Sequence, residues 1–310
     1  MHKGLVSVII PTFRRPDKLE SAIDSVLAQT YPDIEVIVVD DNNPNTEERS
    51  LTEQIMLRYK DDIRVRYIKH EHNKNGSAAR NTGAKNSDAE FIAFLDDDDV
   101  FFPKKIETQV SVLSKKDPSW GCCYTKYVVK RQDGRVSSYS TERKEGNLYL
   151  EALMREFHIA SGSNLLVRKE AFESINGFDE SFIRNQDIEF LTRLLKSFKI
   201  AYADVLGLIV NNHNNHDYYD FQNITDQYLE RFECFISQLS KEEKTKFYKS
   251  ISQQRLFDFL FTKKSLAKCL KQIHKGDSSY GDLLAVVWLR FRIGVRGIKN
   301  KIMKQSIFNL

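Results

Sequence analysis

The stretch AEFIAFLDDDDVFFPKKIETQV (89–110) decides the fold. Phe91–Leu95 is apolar at every position, not at alternate ones, and it runs straight into Asp96, Asp97, Asp98 and Asp99. An unbroken apolar run of strand length suits a strand covered on both faces, as in a parallel sheet with helices on each side. The same theme recurs upstream. Leu5–Ile10 is stopped by Pro11, Ile34–Val39 ends in Asp40 and Asp41, and Val65–Ile68 is a shorter third example. Between these runs the period changes. Leu19, Ala22, Ile23, Val26 and Leu27 recur at helical spacing, a second helix is expected through Leu51–Tyr59, and a third over AARNTGAKNS (78–87). Strands alternating with helices predict an α/β protein with an open, mostly parallel sheet. Ligands of such sheets lie at the carboxyl ends of the strands, which is where both acidic clusters fall.

Beyond residue 118 the pattern is mixed. Cys122–Lys130 reads as a strand, Gly134 as a turn, Leu148–Phe157 and Lys169–Ser174 as helical pieces around the strand-like Leu165–Val167, and Ile188–Leu195 as a helix with an apolar face. Ile200–Ala203 and Gly207–Val210 read as two strands, and the main domain is expected to end near residue 216. From Phe221 onward the chain reads as all-helical, with helices expected at 222–238, 242–260, 262–273 and 280–304.

Composition excludes several classes. In 310 residues, 41% hydrophobic, there are only 13 glycines and 6 prolines, which rules out a collagen-like chain or wholesale disorder. Four cysteines, two of them adjacent (Cys122, Cys123), form neither a disulfide framework nor a metal cluster, and the pair reads as packing. The opening residues reach a β-like run too soon for a signal peptide, and no apolar stretch is long enough to span a bilayer. The expectation is a cytoplasmic protein. Charge is unevenly placed: residues 241–310 carry a net +11 and residues 1–240 a net −7.

Four consecutive aspartates repel one another unless a cation neutralises them, and a divalent metal with hard oxygen ligands is one resolution. A solvated acidic loop, with Asp99 capping a following helix, is the other. No calcium-loop spacing occurs, and neither GxGxxG nor GxxxxGK[ST] is present. Asn75–Gly76–Ser77 before a helix, with Lys74 and Arg80, offers a weaker phosphate site, against an ordinary surface arginine.

Taken together, VSVIIPTFRR (6–15), SAIDSVLAQTYPDIEVIVVDD (21–41), NGSAARNTGA (75–84), the 89–110 stretch and NGFDESFIRNQDIEFLTRL (176–194) resemble a family 2 glycosyltransferase. The resemblance implies a GT-A fold, with a catalytic domain over 1–216 and a helical C-terminal region with a basic tail over 217–310. Within the catalytic domain, 1–98 would bind the nucleotide sugar and 99–216 the acceptor. Carried over by position, Pro11, Thr12 and Arg14 line the nucleotide pocket, Asp41 contacts the base (uracil N3–H), and Arg80 lies near the nucleotide. Asp97 sits by the ribose or the metal's water shell and Asp98 on Mn²⁺ or Mg²⁺. Asp187 of the Gln-Asp motif is the implied catalytic base, with Glu189 in support. His213, better placed than His216, approaches the metal or diphosphate, or else closes the pocket as a structural histidine. His2, His70, His72 and His274 carry no partner spacing. The family's usual Gly-Ser after the acidic pair is replaced by Asn42–Asn43, which is expected to keep the turn because asparagine tolerates unusual backbone angles.

The function so implied is inverting, metal-dependent transfer of a hexosyl group from a nucleoside diphosphate sugar, UDP-linked, to a glycan hydroxyl. A lipid-linked acceptor in surface polysaccharide synthesis, such as a capsule, fits the basic tail. Two alternatives stand beside it, a sugar nucleotidyltransferase and a non-catalytic carbohydrate-binding or scaffolding protein. LLAVVWLRFRIGVRGIKNKIMK (283–304) interleaves apolar and basic residues, so it is expected to lie on an anionic membrane surface, to pack in a homo-oligomer, or to form a charged solvent face. Nucleic acid is not an expected partner, because the acidic half would repel a phosphate backbone.

Overall fold

The computed structural model describes residues 2–160, 162–182, 185–212 and 221–291. The chain divides into two compact units, Met1–Asn215 and His216–Leu310. In the first, β1 (His2–Thr12), β2 (Ile34–Asp40), β3 (Val65–Lys69) and β4 (Ala89–Phe94) are parallel, with β1 between β2 and β4. The sheet continues through β8 (Leu166–Arg168), β6 (Trp120–Arg131), β9 (Lys199–Asn212) and β5 (Val100–Phe101), while β7 (Val136–Tyr139) pairs with β6. β8 is antiparallel to both β4 and β6, and β9 is parallel to β6, so the sheet is mixed.

The unbroken apolar runs have the expected cause. Val6, Val8 and Ile10 of β1 face one core with Val36 and Val38, while Ile9 faces a second core with Ile37, Val39, Ile92 and Phe94. All four β1 residues are fully buried, each stabilising by roughly 1.5–3 kcal/mol relative to exposure. On the first face lies α1 (Pro16–Leu27), whose Leu19, Ala22, Ile23 and Val26 form its buried stripe behind a helix-starting proline. On the second lies α3 (Gly76–Lys85), which is capped by the Asn75 side chain. Between these helices in the chain comes α2 (Glu47–Met56), capped by Thr46. α4 (Lys105–Leu113), α5 (Tyr149–Leu153), α6 (Lys169–Ser174) and α7 (Gln186–Ser197) complete the unit.

Two expectations change in detail. Leu148–Phe157 is only a short α5, because Arg155 takes a left-handed φ of 56°. The two strands expected over 200–210 are one long β9. Register shifts against Thr125–Tyr127 of β6 absorb the polar Asp204 and the following residues as a bulge, which from the sequence looks like a break. The two-residue β5 and the short β7 carry no hydrophobic pattern of their own. Cys122 and Cys123 are buried in the sheet, as packing.

The second unit is helical: α8 (Phe221–Arg231), α9 (Glu233–Ile236), α10 (Lys241–Phe257), α11 (Leu266–His274) and a further helix over 280–291. α10 starts with a capping box between Ser240 and Glu243 and runs into a π-helical turn, Asp258–Thr262. The expected single helix 222–238 is therefore two, and 242–260 changes winding at its end. Of the helix expected over 280–304, only the part to residue 291 lies within the described residues. Among the described residues no helix is long and apolar enough to cross a membrane.

Gly83 sets the distance between α3 and the sheet, since a Cβ there would stand 2.4 Å from Ile9 Cγ2. Gly83→Ala is expected to push α3 outward and lower stability by about 1–3 kcal/mol, as overpacking does. Urea denaturation followed by circular dichroism checks this, and an unchanged midpoint would show that α3 is free to shift.

Candidate functional site

A cleft of about 440 Å³ opens where the carboxyl ends of β1, β2 and β4 meet. The neighbours of β1 run to opposite sides of it in chain order, so this is the switch point of the parallel half. Pro11 and Thr12 come from the end of β1, Asp41 from the end of β2, and Asp96 and Asp97 from the end of β4. The amino end of α3 adds Asn75, Gly76 and Arg80, and α7 adds Gln186.

The acidic run is held apart by separate partners. Asp96 takes the Arg80 guanidinium at 2.5 Å, and its N–H donates to Ser163 Oγ. Asp97 accepts from Thr12 Oγ1 at 2.9 Å, and Asp98 pairs with the Arg15 guanidinium, which also stands 3.5 Å from Asp97. Asp99 accepts from the Asn211 N–H at 3.1 Å. Burial, with repulsion from Asp98 and Asp96, pushes the Asp97 carboxyl up to about 7 against the opposing pull of Thr12 and Arg15. Burial and the same neighbours' repulsion raise Asp99 well above the usual carboxylate range. Arg80 and Arg15 are the cations set against this run. Among the described residues no three His, Cys, Asp or Glu side chains are placed to hold a metal by themselves.

Asp187 stands in the first turn of α7, which Phe178 and Phe190, stacked at 4.1 Å, join to Phe94 of β4. Its carboxylate accepts from the Gly162 N–H at 3.3 Å. Burial raises its pKa, Arg80 opposes, and Asp96 adds to the rise. Arg80, 7% exposed, reaches Asp96 with one nitrogen and Gln186 Oε1 with another at 3.2 Å, and lies over the Phe178 ring. Burial alone would weaken its charge, but Asp96 and Asp187 outweigh that and raise its pKa. One arginine thus joins the end of β4 to the start of α7. Glu189 does not share that environment. It is buried against Arg193, which also donates to the carbonyls of Ile175 and Gly177, so it braces the loop before α7.

Asp41 is 2% exposed and accepts from His70 Nδ1, the N–H groups of Lys74 and Asn75, and Asn73 Nδ2. It fixes the 73–75 loop at the cleft wall. His70 therefore has partners after all, since its other nitrogen meets Thr82 Oγ1 at 2.9 Å. The spacing missed this because they come from β2 and α3. Asp40 is fully buried, held by Arg49, Tyr67 and Asn42.

Arg14 is not among the residues lining the cleft. Its left-handed φ of 60° turns the guanidinium over the Phe13 ring at 4.9 Å, and the neighbouring Arg15 enters the cleft instead. Asn42 and Asn43 do not serve through unusual backbone angles either, because the positive φ values fall at Asn45 and Asn75. Asn42 works through its side chain, accepting from the Arg14 N–H and donating to Asp40. His213 and His216 lie outside the described residues.

The turn Gly162–Asn164 carried no signal of its own in the sequence. Gly162 meets Asp187, Ser163 meets Asp96, and the Asn164 carbonyl accepts from the buried Lys105 ammonium at 3.2 Å and from Gln109.

The sequence profile described as Glycosyl transferase family 2 matches residues 7–175. The chain belongs to that family. An uncharacterized glycosyltransferase of Rickettsia bellii is 32% identical over 78% of this chain and 35% of the relative, and one of Rickettsia felis is 30% identical over 78% and 40%. The chain thus spans about two fifths of the length of these relatives. The UDP-Glc:alpha-D-GlcNAc-diphosphoundecaprenol beta-1,3-glucosyltransferase WfgD of Escherichia coli is 28% identical over 65% of this chain and 74% of that protein. Among solved structures, S. aureus TarS 1-349 in complex with UDP-GlcNAc superposes with a TM-score of 0.61 at 17% identity, covering 83% of this chain and 73% of that one. The fold is accordingly the GT-A-like α/β fold of this glycosyltransferase family.

Lys105 gives this family member a measurable signature. Burial pulls its pKa from 10.5 down to about 7. Below pH 7 folded and unfolded forms both hold the proton and the full cost of burying it applies. Between about pH 7 and 10.5 the unfolded chain binds a proton that the folded chain does not, so stability rises with pH across that window. Urea titrations at pH 7, 8.5 and 10 should show this rise in the native protein and a flatter slope in Lys105→Met. Equal slopes would mean that the ammonium stays charged in the fold.

Proposed function

We propose that the chain moves a hexosyl group from a nucleoside diphosphate sugar, UDP-linked, to a hydroxyl of a glycan acceptor, with inversion at the anomeric carbon. The observation that carries this reading is the meeting of Asp96 and Asp187 at Arg80, which sets a half-buried carboxylate of raised pKa beside the arginine and the acidic strand end that line the cleft. Residues 1–98 would bind the nucleotide sugar and residues 99–216 the acceptor. Pro11, Thr12 and Asp97 line the donor side and Arg80 stands behind it. Asp41 lines the same wall, with its oxygens already accepting from the 73–75 loop and His70, so it shapes the base-binding surface as well as facing it.

Asp187 takes the acceptor's hydroxyl proton as that oxygen attacks the anomeric carbon. The bond from that carbon to the diphosphate oxygen breaks on the opposite face, and its electron pair leaves with the nucleoside diphosphate. Burial raises the basicity of Asp187 toward the level such a base needs. Arg80, close to both carboxylates, opposes that rise.

The acidic run fits a divalent cation. The Arg15 guanidinium already rests on Asp97 and Asp98, and the donors are hard oxygens suited to Mn²⁺ or Mg²⁺. Asp98, with Asp97 beside it, would hold the ion, and His213 is proposed as a further ligand. Bound there, the metal supplies positive charge for the leaving diphosphate.

The sugar-nucleotide-using relatives support a place in bacterial surface polysaccharide synthesis, with a lipid-linked glycan as acceptor and a peripheral position on the inner face of the cell membrane. The helix over 280–291 adds support. Tyr280, Leu284, Val287, Trp288 and Phe291 recur at helical spacing and are 48–70% exposed, in a region with a net charge of +11. An apolar stripe with tryptophan beside many cations suits an anionic bilayer surface.

Two experiments test these readings. Donor turnover by Asp187→Asn is expected to fall by about two to four orders of magnitude with donor affinity retained. Asp98→Asn, or chelation of the native enzyme, should lose both turnover and donor affinity. Near-native turnover in Asp187→Asn moves the base elsewhere, and full activity after chelation removes the metal. For the membrane, the full chain should sediment with phosphatidylglycerol vesicles and not with phosphatidylcholine ones, and Leu284→Gln/Trp288→Gln should stay in solution. A smaller assembly of that variant by light scattering, without vesicle binding by the native chain, would assign the stripe to a homo-oligomer.

A further inference from the structure

The C-terminal unit holds a second cavity, of about 250 Å³, room for roughly eight water molecules at about 30 Å³ each. Its wall is cationic. Lys268, Lys271 and Lys275 of α11 and the residue capping it stand at i, i+3 and i+7 and so share one helix face, and Arg255 enters from the end of α10. Asp277 is the one carboxylate in the lining, so four cations face a single acid. Among the described residues none of the three lysines has an ion pair. Lysines at the carboxyl end of a helix complement its dipole. That accounts for Lys271 and Lys275 singly, but not for a stripe of three turned into one cavity with an arginine opposite.

A second observation points to a ligand. Gln272, on the same face, is 7% exposed, yet its Oε1 is buried without a hydrogen-bond partner. Arg255 Nε is likewise buried and unpaired, although its Nη2 reaches Asp226 at 2.5 Å. Leaving such groups unmatched costs stability, which a bound group supplying both donor and acceptor would recover. The adjoining π-helical turn, which contributes Phe259 to the floor, is a form of winding often found at functional sites.

We infer that this cavity is a binding site for a phosphoryl group, a phosphate monoester or a diphosphate, separate from the donor cleft. Phosphate oxygens take charge-assisted hydrogen bonds from arginine and lysine. A protonated phosphate oxygen donates to Gln272 Oε1, and the amide presents its nitrogen instead when the group is fully ionised. The site does not depend on the donor reading, since all its residues lie in the second unit.

The test is calorimetric titration of the full chain with sodium pyrophosphate in the presence of chelator, which leaves the acidic donor cleft repulsive to the probe. The native chain should bind. Lys271→Gln/Lys275→Gln should bind about tenfold more weakly or worse, and both proteins should weaken as salt is raised. Melting curves confirm that the variant folds, and Lys268→Gln serves as a second, independent lesion. Equal affinity in native and variant chains, or no heat from the native chain, overturns the site. Vesicles containing phosphatidic acid then separate the sources. If the double variant sediments less and pyrophosphate releases the native chain, the site takes a lipid headgroup. If vesicle binding is the same in both, it takes a soluble phosphoryl group.

Discussion

The buried Arg80 guanidinium is the interaction around which the first unit is arranged. It lies beside Asp96 at the wall of the cleft, with Asp187 of the neighbouring helix also acting on it. Without a cation at that point, the half-buried carboxylates from the end of β4 and the start of α7 would repel each other with less screening than in open water. Truncating one member of such a set leaves the others uncompensated, which is costlier than the set itself is stabilising. The surrounding aromatic packing follows from the same need. Phe178 lies under the guanidinium and stacks on Phe190 of α7, so the arginine and the helix that carries Asp187 rest on one apolar platform.

The rest of the unit brings distant segments to that point. Two cores, one on each sheet face, hold the four parallel strands with their carboxyl ends level, so that Thr12, Asp41 and Asp97 converge although they lie far apart in the chain. Gly83 lets α3 approach closely enough for its first turn to reach the cleft. The antiparallel β8 then reverses direction next to β4, and the turn just before it meets both Asp187 and Asp96.

Much of this was legible from residues 1–110, because strands buried on both faces announce themselves as unbroken apolar runs and acids at their ends mark the cleft. The second half was harder to read. β9 looked like two strands because a bulge places polar residues inside it, and β5 is too short to carry any pattern. At the site, sequence order pointed to the motif positions and not to their supports. Arg14 and Arg15 are equivalent in one dimension, and only a left-handed backbone at the first decides which enters the cleft. His70 gained its role from contacts with β2 and α3, and the 162–164 turn from hydrogen bonds that no spacing rule records.

That turn acts as a ruler. The Gly162 N–H holds Asp187 and the next residue's hydroxyl holds the backbone of Asp96, so two groups from opposite halves of the unit are fastened to adjacent residues. Neighbouring Cα atoms are separated by about 3.8 Å across a trans peptide, a length that does not stretch. The gap between the acidic strand end and Asp187 therefore inherits the tolerance of a single peptide unit, much finer than the looseness of the long chain segments that connect them. Lys105 and Gln109 pin the far end of the ruler from beneath, through the Asn164 carbonyl. An insertion of one residue between 162 and 163 would lengthen that gauge by a full step while changing the identity of no side chain at the site.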